Sequence, residues 1–144
     1  MRKLDYSVEK ARVREYWRCR VGSGCKIETP WRWFNLLYKS HLVHALISGD
    51  KEPGSSRYIA RTGSIHYGSY PNEDSMVIAE LIMRGLYREA ERRLETFLHY
   101  QGTVPLPGLF RSSKGVFYGA GGYERGLYTQ HHGWVMWVMG EYYR

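Results

Sequence analysis

Hydrophobic and polar positions along the chain predict five helical segments separated by glycine-containing loops. The segments cover residues 7 to 20, 31 to 48, 73 to 84, 88 to 100, and 129 onward. The second has the clearest start, because Thr29 is a favourable N-cap and Pro30 suits the first helical position. Asn72 is expected to cap the third segment, and Thr129 to begin the last.

The third and fifth segments are dominated by apolar residues on every side, whereas the fourth is amphipathic. The apolar face of the fourth segment contains Ala90, Leu94, Phe97 and Leu98, and its charged residues are expected largely on the solvent side: Glu89, Glu91, Arg92, Arg93 and Glu95. A helix that is apolar all round must be covered on both sides, while an amphipathic helix needs one apolar contact. We therefore predict an all-α fold of helical hairpins, with the third and fifth helices in an inner layer and the fourth in an outer layer.

Two long loops precede the predicted inner helices, at residues 51 to 71 and 102 to 128. Long ordered loops in compact domains are commonly functional. If the two inner helices are parallel, both loops lie on the same rim of the fold. The sequence thus predicts a binding rim formed by residues 64 to 75 and 117 to 134.

Length and composition predict a single helical domain over residues 1 to 144. Residues 1 to 26 form a basic N-terminal helix and linker, and residues 27 to 144 form the hairpins. Residues 1 to 26 hold eight Lys or Arg against three acids, a net charge of +5 within the total of +7. Because the chain has no recognisable nucleic-acid-binding motif, this distribution favours a solvated helix and disfavours nucleic-acid binding.

Membrane association is not expected, because no apolar run approaches the roughly 18 residues of a membrane span. The first residues lead into no signal-peptide core, so we expect a cytoplasmic protein. In that compartment Cys19 and Cys25 are expected to be free thiols.

Three stretches carry a resemblance to a known architecture: TGSIHYGSYPNEDS at 62 to 75, RGLYREAERRLETFL at 84 to 98, and GLYTQHHGWVMWVMGEYYR at 126 to 144. Together they resemble the six-hairpin glycosidases of the (α/α)6 toroid superfamily, in which glycine-rich loops enter inner helices. A full toroid has twelve helices, and this chain matches about five of them. We therefore expect exposed apolar area, covered by self-association or by a partner chain that completes the helical layers.

Glycoside hydrolysis requires two carboxyl groups, and the resemblance implies acids on the predicted rim. Glu73 or Asp74 would be the general acid, and Glu124 could activate water from the opposite loop. A structural alternative stays open, since acids in a first helical turn also favour the helix dipole.

Aromatic and polar residues on the same rim suit a saccharide, because sugar rings stack on flat apolar faces and hydroxyls need hydrogen-bonding partners. The candidate binding residues are His66, Tyr67, Tyr70, Tyr118, Tyr123, Arg125, Gln130, His131, His132 and Trp134. No metal or other cofactor is predicted, because adjacent helical histidines point about 100° apart and cannot chelate as an i, i+4 pair. For the same reason, at most one of His131 and His132 is expected to face the pocket.

Two functional hypotheses follow from these residues. In the first, the chain is a carbohydrate-active protein that hydrolyses a glycosidic bond with its carboxyl groups. In the second, a partial toroid has lost its encircling walls and is a non-catalytic sugar-binding or structural interaction module. The missing helices favour the second hypothesis, because catalysis requires a closed and preorganised site.

Overall fold

A computed structural model describes residues 4–60, 70–103, 111–117 and 130–144. The helices of this part are α1 (Tyr6–Gly22), α2 (Arg32–Ile47), α3 (Pro71–Met83), α4 (Tyr87–His99) and α5 (His131–Tyr143). Two short antiparallel strands, β1 (Gly49–Lys51) and β2 (Tyr58–Ala60), form a hairpin between α2 and α3. The predicted class is all-α, and the described part is mainly helical with one small two-stranded sheet.

The chain divides into two compact units, Met1–Leu46 and Ile47–Arg144, with the division in the last turn of α2. The sequence predicts a single domain with an internal boundary at residue 26, which differs from this division. The single domain stays a prediction. None of the described helices is long and apolar enough to cross a membrane.

In the first unit, α1 is a surface helix that buries no residue. Its start is fixed by Asp5, whose carboxylate accepts hydrogen bonds from the backbone N–H groups of Ser7 and Val8 at 2.8 and 3.3 Å. Its apolar residues Tyr6, Val13 and Tyr16 are exposed. Cys19 and Cys25 are both free thiols, as predicted.

Helix α2 begins at Arg32, two residues after the position predicted from Pro30. Thr29 still stabilises the start of the helix, because its hydroxyl accepts a hydrogen bond from the Trp31 N–H at 3.2 Å. Within the helix only Leu42 and Ala45 are buried, and they lie three residues apart on one face.

The β1–β2 hairpin corrects the predicted loop over residues 51 to 71. Asp50 pairs with Ile59 and Lys51 with Tyr58, in register with Gly49 opposite Ala60. The hairpin is attached to α4, because the Thr96 hydroxyl donates a hydrogen bond to the Tyr58 carbonyl at 2.8 Å. The strands were not predicted because three-residue strands are too short to show an alternating pattern.

Helix α3 begins two residues earlier than predicted. Tyr70 is the N-cap and Pro71 occupies the first turn, so Asn72 lies inside the helix and is not its cap. At the other end, Gly85 adopts a φ of +75°. The N–H groups of Gly85 and Leu86 donate to the carbonyls of Ile82 and Leu81, both at 2.8 Å, which is a Schellman motif. This turn leads directly into α4.

Helix α4 is amphipathic, but its buried face differs from the predicted one. Ala90, Leu94 and Phe97 are buried as expected, whereas Leu98 is exposed. Arg93, which was assigned to the solvent side, is 3% exposed. The reason is Asp74 of α3, whose carboxylate lies 3.7 Å from the Arg93 guanidinium and draws this residue into the interface.

The core of the second unit is formed where α3 packs on α5 and, less extensively, on α4. Its fully buried apolar residues include Ile78 and Leu81 of α3, Phe97 of α4, and Val135 and Val138 of α5. The expectation that α3 and α5 are covered on both sides is wrong for the described chain, because Met76, Met83, Met136 and Trp137 are exposed.

Hydrogen bonds attach the chain that follows α4 to a turn at residues 113–116. The Gly102 N–H donates to the Val116 carbonyl at 2.9 Å, and the Ser113 hydroxyl donates to the Gly102 carbonyl at 3.2 Å. Gly102 has a φ of +73°, and a Cβ added there would lie 3.1 Å from the Ser113 carbonyl oxygen. Both the backbone conformation and the close approach therefore require glycine.

We expect Gly102→Ala to lower the free energy of unfolding by about 1 to 3 kcal/mol, because it adds a steric contact to a strained backbone conformation. Gly115→Ala is the matched control, since Gly115 has a φ of +78° but nothing within 4 Å of an added Cβ. Urea unfolding followed by circular dichroism measures both variants. Equal losses in the two would contradict the contact between Gly102 and Ser113 as the added cause.

Candidate functional site

The paired histidines at the start of α5 point into different surroundings, as adjacent helical residues must. His131 is buried, with 1% of its surface exposed. His132 is partly exposed, and its ring stacks on Phe117 with centroids 5.6 Å apart. The Nδ1 atom of His132 accepts a hydrogen bond from the Phe117 N–H at 3.1 Å, so its lone pair is used to hold the preceding segment. Among the described residues no group of His, Cys, Asp or Glu side chains could hold a metal ion.

The first turn of α3 separates the two adjacent acidic candidates. Asp74 has no exposed surface and faces the buried guanidinium of Arg93 at 3.7 Å. Burial lowers the pKa of Arg93, and the Asp74 carboxylate opposes that change by favouring the charged guanidinium. Glu73 is partly exposed. A general acid must come within hydrogen-bonding distance of its substrate, so we interpret Asp74 as a structural residue of the α3–α4 interface.

Three of the remaining candidates lie at or near the starts of α3 and α5. Tyr70 is the half-buried N-cap of α3, Gln130 is the exposed N-cap of α5, and Trp134 is half-buried on α5. The other candidates lie outside the described residues, and their roles stay predictions: Glu124, His66, Tyr67, Tyr118, Tyr123 and Arg125. The predicted start of α5 at Thr129 also lies outside them, and the helix begins at His131.

An apolar groove runs between α3 and α5. It has a volume of about 600 Å³ and is lined by Met76, Ala79, Met83, Trp134 and Trp137. The three α3 residues follow one another at spacings of three and four, so they share one helix face. Trp134 and Trp137 lie one turn apart on α5, with their rings edge to face and centroids 5.5 Å apart. This α3–α5 groove is an apolar concavity large enough for side chains of a ligand or partner.

A separate polar cluster holds the β1–β2 hairpin against the end of α4. One oxygen of the Glu52 carboxylate accepts hydrogen bonds from Ser55 Oγ at 2.9 Å and from Arg57 Nε at 2.7 Å. Its other oxygen accepts a hydrogen bond from the Tyr100 hydroxyl. These contacts hold the pKa of Glu52 below its usual range, with the Tyr100 hydrogen bond the largest cause. The same hydrogen bond is the largest cause of the raised pKa of Tyr100. The Glu52 carboxylate therefore has a structural role, because it links the β1–β2 hairpin to the end of α4.

Sequence analysis identified Trp134 but not the other residues of the groove. Met76, Ala79 and Met83 were assigned to a helix covered on all sides, so their exposed face was overlooked. Their spacing along α3 was the available signal. The contact of Glu52 with Tyr100 joins residues 48 positions apart, and no local pattern marks such a pair.

Comparison of the chain with protein-family models, curated proteins and solved structures finds no match. The functional conclusion therefore depends on the residues and contacts described above.

Asp74→Asn is expected to lower the free energy of unfolding by about 3 kcal/mol or more, because it removes the negative charge that faces the buried Arg93 cation. The control is Glu73→Gln, in which the loss should be no more than about 1 kcal/mol, the size of a first-turn dipole effect. Denaturant unfolding measures both. A smaller loss for Asp74→Asn than for Glu73→Gln would contradict the structural role of Asp74.

Stability should also depend on the Glu52–Tyr100 hydrogen bond at acidic pH. Because the folded pKa of Glu52 is lowered, its contribution is complete above the unfolded value of about 4.3 and is lost as pH falls through the folded pKa. We expect Tyr100→Phe to lower the free energy of unfolding by about 1 kcal/mol at pH 7. The difference between wild type and variant should disappear in strong acid. Unfolding curves collected across acidic pH measure this, and a constant difference would contradict the linkage.

Proposed function

We propose that this chain is a non-catalytic interaction module that associates with a second copy of itself through the α3–α5 groove. The architecture we assign to its second unit is a part of an (α/α)6 toroid. The observation that carries the proposal is the row of exposed apolar side chains along two packed helices, Met76 and Met83 on α3 and Trp137 on α5.

The packing order of the helices supports the partial-toroid assignment. Helix α3 contacts α5 more extensively than it contacts α4, although α4 follows it directly in the chain. This is the order expected when α3 and α5 are neighbouring inner helices and α4 is the outer helix between them. The Schellman turn at Gly85 makes α3 and α4 a tight helical hairpin, which is the repeating unit of such folds.

The shape and chemistry of the groove favour a helix as its occupant. Ala79 forms a shallow floor between Met76 and Met83, which stand two turns apart on the same face. Groove-binding helices present apolar residues at such spacings. Flexible methionine side chains adapt to an incoming surface, and tryptophans supply large buried area on binding.

The charge of the second unit favours a second copy over a strongly charged partner. Residues 47 to 144 contain eleven Lys or Arg and ten acids, a net charge of +1. A nearly neutral surface allows copies to approach without mutual repulsion. Self-association would cover the exposed apolar face of α3 and α5, which monomers seldom leave open.

The hydrolase hypothesis has less support from the described residues. Of its three carboxyl candidates, Asp74 is enclosed with Arg93, and Glu124 lies outside the described residues. Glu73 is the one described candidate that solvent reaches. A retaining or inverting glycosidase needs two carboxyl groups facing the same bond.

Light scattering over a range of micromolar concentrations tests the association. Wild type should change from monomer to dimer as concentration rises, and the Met83→Ser/Trp137→Ser variant should stay monomeric at concentrations at least about tenfold higher. Leu98→Ser is the matched control, because Leu98 is an exposed apolar residue of α4 that does not line the groove.

Four results would contradict the proposal. A wild-type monomer at every concentration, or equal weakening by Leu98→Ser, would remove the groove as the contact. Hydrolysis of a saccharide from an array by wild type, with loss of turnover in Glu73→Gln, would restore the catalytic hypothesis. Saccharide binding without turnover, weakened by Trp137→Ser, would replace the second copy with a sugar as the occupant.

A further inference from the structure

A second exposed apolar surface lies in the first unit, at the start of α2. Residues 31 to 37 read WRWFNLL, and five of these seven side chains are large, apolar and exposed. Trp31 is 77% exposed, Trp33 82% and Leu37 63%, and Phe34 and Leu36 also exceed two fifths. We refer to residues 31 to 37 as the α2 tip.

The α2 tip is held in a fixed conformation by its polar residue. Asn35 donates a hydrogen bond from Nδ2 to the Thr29 carbonyl at 2.8 Å. Its Oδ1 accepts hydrogen bonds from the Thr29 N–H and hydroxyl, both at 2.9 Å. Trp31 lies between Thr29 and Asn35 in the chain, and its N–H donates a hydrogen bond to Thr29 Oγ1. The backbone that bears the exposed indole is therefore fixed by hydrogen bonds.

Three of the exposed side chains form a face separate from the buried face of α2. Trp33 and Leu37 are related as i and i+4, and Leu36 lies three residues after Trp33, so these three are neighbours on the helix surface. The buried residues Leu42 and Ala45 continue the face of Asn35 and Tyr38, which are only partly exposed. The face of Trp33, Leu36 and Leu37 is therefore directed away from the side of α2 that is buried, whereas Phe34 lies beside Tyr38, with ring centroids 6.5 Å apart.

Basic residues lie at and beside the α2 tip, within a unit of high positive charge. Residues 1 to 46 contain ten Lys or Arg and four acids, a net charge of +6, which is nearly the whole excess of the chain. Lys26, Arg32 and Lys39, at and beside the tip, are all exposed. Glu28 is the one acid between residues 16 and 49. A partner for this surface must offer apolar contact and negative charge together.

We propose that the α2 tip binds the surface of an anionic lipid bilayer. Trp, Phe and Leu enter the boundary between headgroups and acyl chains, while Lys and Arg pair with anionic headgroups. Each basic residue near such a surface contributes about 1 kcal/mol of attraction. This binding is peripheral, so it is compatible with the lack of a membrane-crossing helix among the described residues.

The aliphatic residues favour a bilayer over a single-stranded nucleic acid, the other anionic partner. Proteins that bind single strands stack bases on aromatic faces. Leu36 and Leu37 have no π face to offer, but they bury apolar area in acyl chains.

Co-sedimentation of the full chain with vesicles tests the proposal. We expect binding to phosphatidylcholine vesicles that contain about 30% phosphatidylserine, and a decrease of about tenfold or more in pure phosphatidylcholine or in about 0.5 M salt. Trp31→Ser/Trp33→Ser should weaken binding by about tenfold or more, and Trp31→Phe/Trp33→Phe should restore much of it. Circular dichroism checks that each variant keeps its helix content.

The matched control is Met83→Ser/Trp137→Ser, which also removes two exposed apolar side chains, but from the α3–α5 groove. It should leave vesicle binding unchanged, and the α2 tip variants should leave self-association unchanged. The proposal is overturned by absent vesicle binding, by equal binding to neutral and anionic vesicles, or by equal loss in the control. Binding to a single-stranded oligonucleotide instead of vesicles would assign the tip to nucleic acid.

Discussion

The contact between Asp74 and Arg93 is the constraint on which the second unit depends. Both side chains are almost fully buried, one near the start of α3 and the other in the middle of α4. Two charges removed from water are costly unless each faces the other, so the pair permits few alternative alignments of these helices. With α4 fixed in this way, Ala90, Leu94 and Phe97 become core, and Leu98 is left in solvent. The same contact removes Asp74 from any ligand surface.

Once α4 covers one side of α3 and α5 is packed alongside, a limited part of α3 is left open. Met76 and Met83 occupy that open face, and Trp134 and Trp137 of α5 border it. An exposed groove of this kind is expected when helices that are apolar all round are covered on one side only by the described elements. We therefore propose an interface between chains, in preference to a catalytic cleft, as the reason for the composition of α3 and α5.

The sequence predicts the presence and approximate bounds of the helices because apolar periodicity is a local signal, and the amphipathic pattern of α4 identifies most of its buried face. The predicted caps are less accurate: Asn72 lies inside α3, whose N-cap is Tyr70. The side that each charged residue occupies is a tertiary property, so Arg93 was placed in solvent although Asp74 draws it inside. The same limit applies to the site: the pattern marked Trp134, but the groove became visible only when α3 and α5 were brought together.

The two apolar surfaces lie in units of different net charge, and we base the proposed partner of each surface on that difference. The unit that contains the α3–α5 groove carries a net charge of +1, so association of copies meets little repulsion. The unit that contains the α2 tip carries +6, and Lys26, Arg32 and Lys39 lie at and beside the tip, so two such surfaces would repel each other while attracting an anionic one. Exposed hydrophobic area alone does not distinguish the two surfaces. The concentration of basic residues before residue 47 is therefore our reason for proposing another copy as the partner of the groove and a negatively charged partner for the tip.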